Sequence, residues 1–173
     1  QGRTGTPAVE SITAGNIVAL NGFSTVPVNV TSSLMTVAAA DIADVTNTFI
    51  AAGLGPNATA ATIANPTVTG VNDIAVTVDP AATISVANGN EVALGTTGLV
   101  TAKLATGPLS DFINPTTDVI NFEAGNAFSF SVNDAGLTSA KTAQLALLDA
   151  ATSSGTITLS GVTGGQTIAG TLE

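Results

Sequence analysis

Short runs in which apolar and polar residues alternate make up most of this chain. Strict alternation is the pattern of a strand with one buried face. It occurs in VPVNV (26–30), IAVTV (74–78) and AFSFSV (127–132). Further runs rich in β-branched residues predict strands at 66–71, 83–87, 91–94, 99–105, 156–162 and 166–172, the last two forming a terminal hairpin.

Two segments change to helical spacing. Residues 35–52 are rich in alanine, and their apolar positions fall mostly on one stripe. Residues 137–151 place Leu145 and Leu148 on a common face, and a Ser-Ser-Gly sequence follows. Because strands outnumber helices, the pattern predicts a mainly β fold, a β-sandwich or jelly-roll-like domain with one or two packed α-helices.

The N-terminal segment differs from the rest. Residues 1–8 contain Pro7 and two glycines, which predicts an extended arm. The apolar segment 9–20 follows and predicts one or two strands. We therefore divide the chain into 1–20, an arm and candidate donor strand, and 21–173, a single β-rich domain. The apolar residues that a neighbouring subunit would receive are Val9, Ile12, Ile17, Val18 and Leu20. The alternative is an ordinary first strand in the chain's own sheet.

Composition excludes several classes of function. The chain has no His, Cys, Trp or Tyr, so histidine bases, thiol nucleophiles and Cys/His zinc sites are impossible. Three basic residues against twelve acidic ones give a net charge of −9, which argues against nucleic acid as a partner. No apolar run of the length that a membrane helix needs is present, so we expect no membrane span.

Acidic residues are the remaining candidates for site chemistry. Those at predicted turns suit calcium, which prefers carboxylate and carbonyl oxygens, but aspartate is also common in solvated turns. They are Asp73, Asp79, Asp111, Asp118, Glu123 and Asp134. The pair Asp41 and Asp44 lacks the aromatic platform of a glycosidase, and Ser139 and Lys141 point to different faces of one helix. We expect no enzyme, no catalytic residue and no cofactor, with calcium as a possible ion whose ligands the sequence leaves unknown.

Charge content indicates self-association. Only 9% of the residues are charged, against about 25% in ordinary soluble domains. A surface of this kind favours contact with further copies. The start at Gln1 is typical of a processed secretory protein, so we expect an extracellular, cell-surface location.

Two segments resemble bacterial surface proteins. LSDFINPTTDVINF (109–122) looks like segments of calcium-linked, type I-secreted surface proteins, and 128–162 is similar to strand–helix–strand repeats of large adhesins and surface-layer proteins. The whole-chain profile resembles donor-strand filament subunits of bacterial and archaeal surfaces. The resemblance implies an extracellular structural role.

These observations predict the subunit of an extracellular homopolymer, a pilus-like filament or surface layer, assembled by β-strand exchange between subunits. The expected partner is the protein itself. The alternative is a calcium-rigidified adhesin or surface-layer module.

Overall fold

The fold is seen in a computed structural model, which describes residues 11–23, 28–42, 68–69, 73–134 and 139–160. The strands in these residues are β1 (Ser11–Thr13), β2 (Val28–Asn29), β3 (Leu34–Val37), β4 (Val68–Thr69), β5 (Ala75–Val78), β6 (Val100–Lys103), β7 (Ala127–Val132) and β8 (Ile157–Leu159). The α-helices in the same residues are α1 (Ala14–Phe23), α2 (Val86–Leu94) and α3 (Ser139–Ala151), and single 3-10 turns lie at Ala39–Asp41 and Leu109–Asp111. Among the described residues, no helix is both long enough and apolar enough to cross a membrane.

Six strands form one sheet in the order β1-β3-β5-β6-β7-β8, and every neighbouring pair is parallel. Strands β2 and β4 form a separate parallel pair. The order in the main sheet follows the chain without reversal. Since crossovers between parallel strands are nearly always right-handed, such an order places the connections on one face of the sheet.

The predicted β-sandwich or jelly roll is wrong, because the main sheet is all-parallel and carries α-helices between its strands. Antiparallel strands can be joined by tight turns, whereas parallel neighbours require a crossover connection. The alternating pattern located several strands but contained no information on which strands become neighbours. The architecture is therefore of the α/β kind.

The segment 83–94 accounts for part of this error. It was predicted to hold two strands around an Asn-Gly-Asn turn, but residues 86–94 form α2. The Ser85 hydroxyl caps this helix by accepting a hydrogen bond from the Asn88 amide at 3.1 Å. A Cβ built on Gly89 would lie 3.0 Å from Leu104 and 3.6 Å from the Phe128 ring. Glycine therefore lets α2 lie directly on the sheet, and tertiary packing outweighs its low helix propensity.

Other predicted elements have mixed outcomes. The helix at 137–151 is confirmed by α3, and the strands predicted at 74–78, 99–105 and 127–132 are confirmed by β5, β6 and β7. The helix predicted at 35–52 is wrong over its first residues, which form β3, and residues 43–52 lie outside the described residues. Strand β8 pairs with β7 in parallel, while its predicted hairpin partner, 166–172, lies outside the described residues.

The core lies between the sheet and its connections. Met35, Val76 and Val100 are registered neighbours on three adjacent strands, and each is at most 3% exposed. The same face continues across β7 and β8 through Phe130 and Ile157. Burial of this continuous apolar layer is the main stabilising contribution to the fold.

Phenylalanines reinforce the core beside β7. Phe112 stacks on Phe130 with ring centroids 4.3 Å apart, and Phe122 meets the edge of Phe128 at 5.8 Å. Phe112 and Phe122 come from the β6–β7 connection, so their rings fix this long segment against the sheet. Aromatic pairs of these geometries stabilise by about 0.5–1.5 kcal/mol beyond the effect of their buried area.

Candidate functional site

A groove of about 500 Å³ lies where strands β1, β3 and β5 end. Thr13, Thr36 and Thr77 lie along it, with Asn16 from the start of α1. Asp41 and Asp79 are the two carboxylates that the described residues contribute to it. In open parallel sheets, ligands bind beyond the carboxyl ends of the strands, usually where the strand order reverses. The order in this sheet does not reverse, but the loops that follow its strands supply polar groups to the groove. The groove is therefore the candidate functional site.

The threonines of the groove belong to a row that runs across the sheet. Thr13 is registered with Thr36, Thr36 with Thr77, and Thr77 with Thr101. We call these four residues the threonine row. Thr36, Thr77 and Thr101 lie between apolar neighbours along their strands, and Thr13 follows Ile12 at the end of β1, so these side chains take the face opposite the core. Thr13 and Thr101 are exposed, and Thr36 and Thr77 are half-buried.

The polar face is unusual for this kind of sheet. All-parallel sheets are normally covered on both faces and their strands are then apolar throughout. Here the strands alternate instead, and the polar face continues through Lys103 with Ser129 and through Ser131 with Thr158. These side chains are half-buried or exposed. The sheet thus presents a hydroxyl-rich surface opposite its helices.

Local contacts position the ends of the groove. The Asn16 amide donates to the Thr13 hydroxyl at 3.3 Å, which caps the first turn of α1. The Ala81 amide donates to the Asp79 carboxylate at 2.9 Å, which closes the turn after β5. A Cβ built on Gly15 would lie 3.2 Å from an oxygen of Asp41, so this carboxylate lies against the N-terminal turn of α1. The helix dipole favours a negative charge at that position.

The groove has the chemistry of a hydrogen-bonding site. Among the described residues, neither the Thr36 nor the Thr77 hydroxyl has a hydrogen-bond partner in the protein. Its charged lining residues, Asp41 and Asp79, are both acidic. Hydroxyl groups can donate and accept, whereas carboxylates only accept. The arrangement therefore suits a ligand rich in hydroxyl or amino donors and disfavours an anion.

A second hollow, of about 430 Å³, lies at the amino ends of β6 and β7. Its polar lining includes Glu123 and Asn126. The Asn126 side chain already accepts a hydrogen bond from the Val100 amide at 2.9 Å and donates to the Glu123 carbonyl. These contacts hold the turn before β7, so they indicate a structural role for this hollow.

The structure places the proposed donor-strand residues in different elements. Val9 lies outside the described residues, and Ile12 is in β1, packed against the core. The prediction of strand structure through residue 20 is wrong from residue 14, because α1 begins there. Ile17 is fully buried, and Val18 and Leu20 belong to the same helix. The role of these residues in assembly stays a prediction.

The acidic turn residues do not gather into one site. Asp134 binds Lys141, Asp118 accepts a hydrogen bond from Gln144 at 2.7 Å, and Asp79 caps its own turn. In the parts of the chain that the structure describes, no group of three or more carboxylates is placed to hold a metal ion. Asp44, the partner suggested for Asp41, lies outside those residues. Calcium therefore gains no support from the geometry.

Sequence reasoning missed the threonine row. The signal was the threonine flanked by apolar residues in IT (12–13), MTV (35–37), VTV (76–78) and VTA (100–102). Alternation alone shows that these threonines lie opposite the apolar residues of their own strands. Only the parallel register brings all four side chains into one row.

Comparison of the chain with known protein families, with curated proteins and with solved structures found no match.

Proposed function

We propose that this protein is a structural subunit of an extracellular homopolymer, in which the parallel sheet of one copy continues into that of the next. The observation that supports this most is the sequential strand order, which leaves β1 at one edge and β8 at the other. The six strands of this sheet point the same way, so β8 of one copy can lie parallel to β1 of another. Such a contact is heterologous, and it produces a filament or layer when its rotation does not close into a ring.

The composition of the two edges favours this contact. Natural proteins commonly protect an edge strand with charged residues or proline. Here β1 reads SIT and β8 reads ITL, each three residues long and without a charge. Among the described residues, no further strand pairs with the outer side of either. Short edges give a weak single contact, so assembly would depend on concentration.

Backbone directions and side-chain faces define the expected register. The Phe130 amide donates to the Thr156 carbonyl, and the Ser160 amide donates to the Val132 carbonyl. In a parallel ladder the intervening Ile157 and Leu159 therefore direct their backbone groups outward. Pairing Thr158 with Thr13 of the next copy would align Ile157 with Ile12. Both the apolar layer and the polar face would then continue between subunits.

Two further observations support the proposal. The segment 128–162, which resembles strand–helix–strand repeats of adhesins and surface-layer proteins, contains most of β7, all of α3 and all of β8. The low charge of the surface favours contacts between copies. Because Ile17 lies in the chain's own core and Ile12 packs against that core, we place the contact at the outer edge of β1 and not in a donated segment.

A charge design at the two edges tests the contact. Thr13→Asp keeps a capping oxygen for α1, because aspartate caps helices well. Combined with Thr158→Asp, it places like charges opposite each other and should weaken association about fivefold. Combined with Thr158→Lys, it should restore association. The measurement is sedimentation velocity over a concentration series.

The design distinguishes assembly from folding. Thr13 and Thr158 lie on the outermost strands of the sheet. Five strand spacings of about 4.8 Å separate those strands, well beyond the Debye length of about 8 Å at physiological ionic strength. Charges at these positions therefore have little effect on each other within one subunit. Monomeric wild-type protein up to its solubility limit, or equal association of the two double variants, would overturn the proposal.

A further inference from the structure

We propose that the threonine row and the groove at its end bind an extended neutral or amino-sugar glycan, lying across the strands. The inference rests on three features of the described residues: a periodic row of hydroxyl groups, a groove of about 500 Å³ along it, and two carboxylates with no basic residue in the lining. It concerns the polar face and not the sheet edges. It therefore does not depend on assembly.

The spacing of the row suits a polymer of sugar rings. Neighbouring strands lie about 4.8 Å apart, so registered threonines repeat at that distance across the sheet. Successive rings of a linear glycan repeat at a similar distance. A glycan lying along the row can thus meet equivalent hydroxyls at Thr36, Thr77 and Thr101, which are registered in pairs. A peptide in this direction would lie across the strands and would gain no backbone pairing from them.

The hydrogen-bonding groups of the groove suit the same ligand. Sugar hydroxyls donate to carboxylates through short, strong hydrogen bonds, and Asp41 and Asp79 are the available acceptors. The Thr36 and Thr77 hydroxyls can accept or donate and have no partner among the described residues. An amino group would gain further from the two negative charges. An acidic glycan would be repelled by them and by the net charge of −9.

The lining also predicts the strength of binding. Among the described residues, the lining of the groove has no aromatic ring on which a sugar can stack, and its apolar members are Val37, Ala38 and Pro80, with glycine beside them. Hydrogen bonds exchanged with water stabilise a complex only modestly. We expect a single groove to bind the glycan weakly, and we expect tighter binding when several protein molecules engage the same glycan chain.

Substitution of threonine by valine tests the row. Valine has nearly the same shape, favours strands and replaces the hydroxyl with a methyl group. The double variant Thr36→Val/Thr77→Val should lose about tenfold in affinity for cellohexaose and chitohexaose. Ser131→Ala is the matched control, because Ser131 has a half-buried hydroxyl on the same face, on β7, outside the groove and away from the edge strands. Binding is followed by amide chemical shifts in an NMR titration, which also reports whether each variant is folded.

A charge variant tests the carboxylates. Asp41→Asn should weaken binding of a chitosan hexamer, which carries amino groups, more than binding of cellohexaose. An oligogalacturonate of the same length should not bind the wild type.

Four results would overturn the inference. The first is the absence of any chemical-shift change with a neutral or amino hexasaccharide, and the second is equal binding by the valine double variant and the control. The third is tighter binding of the acidic oligomer than of the neutral and amino oligomers. The fourth is a set of shifts at Thr36 and Thr77 that follow protein concentration instead of added sugar. The last result would identify a second copy as the occupant of the row. None of them bears on the sheet edges, so the proposed function would be unaffected.

Discussion

At the scale of single residues, Asp134 joins two connections that cross the apolar face. One carboxylate oxygen accepts a hydrogen bond from Lys141 Nζ at 2.6 Å, and the other accepts from the Leu109 amide at 2.5 Å. The Lys141 hydrogen bond, followed by that from the Leu109 amide, lowers the pKa of Asp134 below its ordinary value. The residue thus ties the start of the second 3-10 turn to α3.

This lowered pKa predicts a pH-dependent stability. The contribution of Asp134 is complete above the unfolded-state pKa of about 3.9 and is lost as the pH falls through the lower folded-state pKa. Asp134→Asn should therefore reduce the free energy of unfolding by about 1 kcal/mol at neutral pH. The difference from wild type should shrink as the medium becomes acidic.

Urea unfolding at a series of pH values, followed by circular dichroism, measures this difference. Asp73→Asn is a suitable control, because Asp73 is an exposed aspartate after which β5 begins. A difference between Asp134→Asn and wild type that is the same at every pH would contradict the assignment.

At the scale of elements, the connection from α3 to β8 approaches β7 too closely for any side chain. A Cβ built on Gly155 would overlap the Phe128 carbonyl oxygen, which is a backbone atom and cannot turn away. Gly155→Ala should therefore force β8 away from β7 and destabilise the protein by about 3 kcal/mol.

Gly125→Ala provides the comparison for this prediction. Gly125 has a positive φ of 85° but no atom within 4 Å of the Cβ position. Alanine there costs only the strain of the left-handed conformation, about 1 kcal/mol. Thermal unfolding of both variants compares the cost of the steric overlap at residue 155 with the cost of backbone strain at residue 125. If the two variants lower the stability of the protein equally, the close approach of Gly155 to β7 does not add to the cost of an alanine at that position.

Elements could be predicted from the sequence only where local pattern and tertiary packing agree. The spacing of Leu145 and Leu148 predicts α3, and the alternation in 127–132 predicts β7. The prediction for residues 86–94 is wrong because the β-branched residues and the Asn-Gly-Asn sequence of this segment favour strands and a turn. Its helical structure depends on Ser85 and on the packing of Gly89 against Leu104, a residue distant in the sequence.

At the scale of the whole molecule, the sequence predicted less of the structure than it did at the scale of single elements. Alternation shows that each strand has a polar and an apolar face, which is equally true of a sandwich and of a parallel sheet with one open face. The strand order decides between them, and it depends on crossovers such as the long connection between β6 and β7. The threonine row and the positions of β1 and β8 as the edge strands among the described residues both follow from that order, so neither could be found from residues alone.

Covalent capture between copies tests the central claim, that β8 of one subunit lies beside β1 of the next. The chain has no cysteine, so single variants Thr13→Cys and Thr158→Cys each introduce one thiol. Within one subunit these positions are about 24 Å apart across the sheet, too far for a disulfide. Mild oxidation of an equal mixture should give mainly mixed 13–158 dimers, and the double-cysteine variant should give a ladder of multimers. Failure to cross-link, or mixed and like-with-like dimers in random proportion, would contradict the account.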